Sequence, residues 1–121
     1  MNLPPRRAGL TPVVEQIRAG VHEFLCAGEV IELPRQIVMD HAEVGPVMLG
    51  MADLIQYGMA ICAFADAEEV GDMDMVRSAH QYIAQQDERF RIAALSVLID
   101  ACDHIHEIKE QWEKVQENRS E

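Results

Sequence analysis

The sequence predicts an all-α protein, a small helical bundle with a long C-terminal helix that pairs with a second copy of itself. Three observations lead there. Apolar residues recur at spacings of three and four along most of the chain. Alternating runs of β-branched residues are absent, so strand signals are weak. Aromatics are few against seven methionines, so aliphatic and Met side chains must build the core, which suits helix packing better than a β-sandwich. The 121 residues suffice for one domain with one core.

Residues 1–10 contain two prolines and two arginines without periodicity and are expected to form a disordered arm. Residues 11–118 make the single helical domain, and 119–121 a disordered tail. Thr11 caps a first helix, with Pro12 at the first helical position, where its missing N–H had no partner anyway. Val14, Ile17, Val21, Phe24 and Leu25 form its apolar stripe, and Gly28 is its natural stop after Ala27. Residues 29–45 read as a connector with a short helical turn, punctuated by Pro34 and Gly45-Pro46.

The second helix is expected from Pro46 to about Asp66. Two apolar seams, Val47-Met51-Leu54-Gly58-Ile61 and Met48-Ala52-Ile55-Met59-Cys62, leave only Asp53, Gln56 and Tyr57 as a polar strip. Such a helix must be covered on more than one side, either as the centre of the domain or by a partner. The acids of residues 66–74 mark a turn and the positive end of the next helix. Their spacing does not match an EF-hand loop. Val76, Ala79 and Ile83 give that helix its stripe, and Asp87 can cap another. From Asp87 to Gln116 a heptad-like seam runs through Leu98, Ile105, Ile108 and Trp112. A continuous helix there would be about 45 Å long, too long for a compact monomer, and its projecting seam calls for a second copy.

The formal net charge of −11 repels phosphate backbones and anionic lipid, so neither nucleic acid nor membrane is expected as a partner. Val44–Ala65 is apolar enough to require a membrane check, but Asp53 near its middle would cost about 2.5–3.5 kcal/mol on insertion. The N-terminus lacks the apolar region of a signal peptide, which points to the cytoplasm. Cys26, Cys62 and Cys102 form no CxxC pair and read as buried reduced thiols.

No nucleophile elbow, phosphate-binding loop, dinucleotide fingerprint or HExxH motif occurs, so no enzyme activity and no catalytic residue are expected. The best metal candidate is Asp100, Asp103, His104 and Glu107. It lacks the Glu-x-x-His order of di-metal bundles and reads as a solvated face, with no metal or cofactor. His22 reads as an ordinary helix-face residue.

The chain's size, its Thr11-Pro12-Val13-Val14-Glu15 start and its closing helix with Asp103-His104-Ile105-His106-Glu107-Ile108-Lys109 resemble the small bacterial anti-activators of quorum sensing. That resemblance implies an all-helical homodimer that binds the ligand-binding domain of a LuxR-type transcriptional regulator. It would block the regulator's dimerisation and keep it from DNA, with no catalytic residues.

The reading is therefore a non-enzymatic, protein-binding inhibitor. Met48, Met51, Ile55 and Met59 would dock the regulator, since Met-rich faces adapt to partners. Leu98, Ile105, Ile108 and Trp112 would join two copies. Two alternatives come from other features: an acidic decoy inhibitor of a nucleic-acid-binding enzyme, built on residues 66–74, and a metal-binding helical bundle.

Overall fold

A computed structural model describes residues 11–120, with side-chain surroundings for 12–118. The expectations for the arm at residues 1–10 and for Glu121 lie outside the described residues; at 119–120, where a disordered tail is expected, the backbone is still helical. Five helices and one β-hairpin follow in the order α1 (Thr11–Val30), β1 (Gln36–His41), β2 (Gly45–Gly50), α2 (Met51–Val70), α3 (Met73–Gln85), α4 (Glu88–Ile99) and α5 (Ala101–Ser120). The chain is thus mostly helical, as expected, but not all-α.

The hairpin corrects both the connector and the start of the second helix. β1 and β2 pair antiparallel, with Val38 opposite Met48 and Ile37 opposite Leu49. The three-residue turn at 42–44 is closed by Gly45, whose φ of 76° lies where a side chain would be strained. Inward-facing Ile37, Met39, Val47 and Leu49 pack on the core, while Val38 and Met48 are exposed. Arg89 ties the ribbon to α4 by donating from Nη2 to the carbonyls of Val44 and Pro46, at 3.0 and 2.8 Å. Met51 N donates to the Arg35 carbonyl at 2.7 Å, so the pairing runs on into the first residue of α2.

α2 is the central helix. It packs against α1, α3 and α4 and continues directly from β2. Tyr57 does not belong to a polar strip. It is buried at 3 % exposure, with Phe90 edge-on at 5.5 Å. Two glycines let the helices meet closely. A Cβ on Gly20 would overlap the Leu98 carbonyl oxygen and stand 2.9 Å from the Leu98 carbonyl carbon. A Cβ on Gly58 would collide with Val21 and reach 3.0 Å from Leu98 Cδ1. Backbone contact at Gly20 and side-chain seating against Gly58 set the α1–α2–α4 crossing, around which Ile17, Val21, Phe24, Leu54, Val97 and Leu98 form the centre of the core.

The helix ends show how local chemistry sets the boundaries. α1 does not stop at Gly28. Ile31 N still donates to the Ala27 carbonyl, and the bare Cα of Gly28 leaves room for Leu33, whose Cδ1 would lie 3.2 Å from an added Cβ. α2 ends at Gly71, with φ 77°, where Gly71 N and Asp72 N donate back to the Glu68 and Ala67 carbonyls. Asp72 and Asp87 cap α3 and α4 by accepting from Met75 N and Arg89 N.

The expected helix from Asp87 to Gln116 is broken at Asp100 into α4 and α5. There the Asp100 carbonyl accepts from both Asp103 N and His104 N. Aspartate is a weak helix-interior residue, and the break falls on it.

Candidate protein-binding groove

Where the 31–35 connector passes α5, the surface is hollowed. Leu33, Pro34 and Arg35 form one wall; Ile108, Trp112 and Val115 form the other, around about 290 Å³. The hollow continues past Pro34 and Ile108 into a more polar one of about 310 Å³, between Gln36–Val38 and His104, Glu107 and Gln111. Together they make a groove between an extended stretch, residues 32–38, and a helical stretch, residues 104–116. At about 3.3 Å per extended residue and 1.5 Å per helical residue, both walls are roughly 20 Å long. The outer edge of β1 has no strand partner among the described residues. On the other side of the Leu33–Gln36 ridge lies a broad depression of about 730 Å³, bordered by Gly50, Met51, Asp53 and Ile55.

The residues expected to dock a partner separate in space. Met48 lies on the exposed face of β2 beside Val38, at 60 % and 70 % exposure, and not on a helix. Met59 is exposed on α2. Ile55 is half-buried at the rim of the depression. Met51 is a correction: at 6 % exposure it belongs to the protomer's own core. A single stripe does not survive, because the strand takes Met48 off the helical face.

The expected dimerisation seam divides in the same way. Leu98 and Ile105, at 0 and 6 % exposure, are buried in the core beside α1, so they close the protomer and cannot reach a second copy. Ile108 and Trp112 are half-buried and face the groove. The seam is thus core at its start and surface at its end. Leu33, Pro34 and Val38 carry no periodic signal for the groove, because their segment reads as a connector. The available signal was two short apolar runs, Ile37–Met39 and Val47–Leu49, flanking a Gly-containing turn.

Titratable groups in the core respond to burial. Burial raises the Tyr57 pKa above its ordinary 10.0, against the opposing charge of Arg91. It also raises that of Cys62, against Arg18, and that of Tyr82, with Asp53 adding to the rise. Only Cys62 is buried; Cys26 and Cys102 are exposed, contrary to expectation, because their positions fall outside the helical stripes that pack. Within the 66–74 stretch, Asp66 takes Arg18 of α1 at 2.9 Å, Asp72 caps α3, and Asp74 lies 3.8 Å from Arg77. Asp100, Asp103, His104 and Glu107 do not converge: no group of three or more His, Cys, Asp or Glu among the described residues is placed to hold a metal ion. No described helix is long and apolar enough to cross a membrane.

No family model, curated protein or solved structure matches this chain.

Proposed function

We propose that this chain is a non-enzymatic protein-binding inhibitor that sequesters a transcriptional regulator, of the LuxR-type quorum-sensing class, by covering the surface through which the regulator dimerises. It acts as a cytoplasmic homodimer. The observation that carries the reading is the groove between residues 32–38 and α5, where Trp112 and Ile108 stand half-exposed opposite Leu33 and Pro34. A partly exposed Trp in a hollow of mixed apolar and polar lining is the kind of side chain that dominates binding at protein interfaces. The exposed Val38–Met48 pair beside it extends the apolar surface.

The test is direct binding of the full chain to the ligand-binding domain of a LuxR-type receptor, at low and high salt. Apolar docking predicts an affinity that survives high salt and falls roughly 30-fold, about 2 kcal/mol, in Trp112→Ala. Absence of binding would overturn the choice of partner. Binding lost at high salt and indifferent to Trp112 would instead support the acidic decoy.

A further inference from the structure

We infer that His22 and Cys26 are one half of a zinc site, completed by the same pair from a second copy of the chain. The two residues lie four apart on α1, on one face of the helix, and both are exposed. Cys26 Sγ stands 3.4 Å from His22 Nε2. With Zn–S near 2.3 Å and Zn–N near 2.0–2.1 Å at a tetrahedral angle, two ligands of one zinc ion are separated by about 3.5 Å. The side chains already hold the spacing of a chelating pair. Thiolate and imidazole are also the ligands that a borderline-soft cation selects.

The chain repeats this spacing once, at Cys102 and His106, and there the pair is not assembled: His106 Nε2 is 3.2 Å from Glu110 Oε1. No third ligand in the described part of the chain joins either pair, so two of four tetrahedral positions must come from outside. An isologous contact about a twofold axis brings the same patch of two copies together, which supplies a second sulfur and a second nitrogen. Leu25 and Val30, 49 % and 73 % exposed on the same turns of α1, offer apolar surface beside the pair. Arg18, one turn before His22, is held by Asp66 and Glu15, which offsets its charge against an incoming cation. As each S–Zn bond forms, the thiol proton passes to solvent, two per ion, and the ion keeps its +2 oxidation state. The inference shares the homodimer with the function proposed above but is independent of which regulator is bound.

The experiment is a cobalt(II) and zinc(II) titration of the reduced full-length chain, followed by absorption and by solution mass. The expected result is a thiolate-to-cobalt charge-transfer band that saturates at one metal per two chains and that zinc displaces, with the metal-loaded chain at dimer mass. Cys26→Ser and His22→Ala each abolish the band, while Cys102→Ser and His106→Ala keep it. No band, a band that survives Cys26→Ser, or saturation with one metal on a monomeric chain would each overturn the shared site. Circular dichroism of the two α1 variants, expected unchanged because both positions are exposed, separates loss of the site from loss of the fold.

Discussion

At the scale of single residues, stability depends on a few close contacts. Gly20 is the sharpest case. An added methyl would meet the Leu98 backbone, which cannot rotate away as a side chain could, so α1 and α4 must move apart. Gly20→Ala is predicted to cost about 1–3 kcal/mol and to lower the melting temperature by roughly 4 °C or more, measured by thermal unfolding. An unchanged melting temperature would mean that the helices do not meet at that point. The buried phenol of Tyr57 sets a second prediction. Its pKa is raised in the folded chain, so it binds its proton more tightly there than in the unfolded one. Its contribution is therefore complete below the ordinary value of 10.0 and is lost as pH rises through the folded value. Tyr82 and Cys62 act with the same sign, Cys62 from an ordinary value of 9.0. Urea unfolding across this range should show stability falling from about pH 9 upward. Tyr57→Phe should reduce the part of that fall above pH 10 and leave the parts due to Tyr82 and Cys62.

At the scale of elements, the hairpin is tied to the bundle at identifiable points. Arg89 Nη2 bonds two of its carbonyls, and removal of both bonds in Arg89→Ala should cost about 1–3 kcal/mol. Hydrogen exchange should show faster exchange at Val47 and Leu49, with the amides of α1 and α2 unchanged. Uniform loss of protection would mean that the ribbon and the bundle unfold as one. The same element marks where the sequence stops being legible. Asp87 announces its helix, and the acids of residues 66–74 the one before it, because capping and end-charge effects are local interactions within the first turn. Ile37–Met39 and Val47–Leu49 did not announce strands, because a three-residue apolar run fits either period. What decides between them is cross-strand pairing, which a linear reading does not contain. Gly45-Pro46 added to the error, since the pair that closes a hairpin turn is also a plausible helix start. The break at Asp100 was invisible for a related reason: the apolar spacing of Leu98, Ala101 and Ile105 continues across it without interruption. Of the groove, the sequence offered Ile108 and Trp112 but not their opposite wall, which comes from residues some seventy positions away in a segment without periodicity.

At the scale of the whole molecule, the question is which apolar surface closes the protomer and which remains for a partner. Burial along the last two helices answers it by position. Leu98 and Ile105 are in the core, whereas Ile108 and Trp112 are half-exposed and Val115 is 47 % exposed. A charge at either end of the seam should therefore have different consequences. Leu98→Asp places an unpaired carboxylate in the packed centre, and the variant should lose its cooperative unfolding transition. Trp112→Asp should keep the helical circular dichroism spectrum and the unfolding midpoint close to those of the parent, yet fail to bind the proposed regulator. Kinetics make the test more specific. If the groove supplies the short-range contacts, Trp112→Ala should raise the dissociation rate roughly 30-fold and leave the association rate nearly unchanged, because interface truncations act mainly on dissociation. Salt should have the opposite profile, since a chain of net charge −11 influences the approach of a charged partner but contributes few ions to this hollow. A dissociation rate that rises steeply with salt and ignores Trp112 would place the binding energy on the acidic surface instead of in the groove.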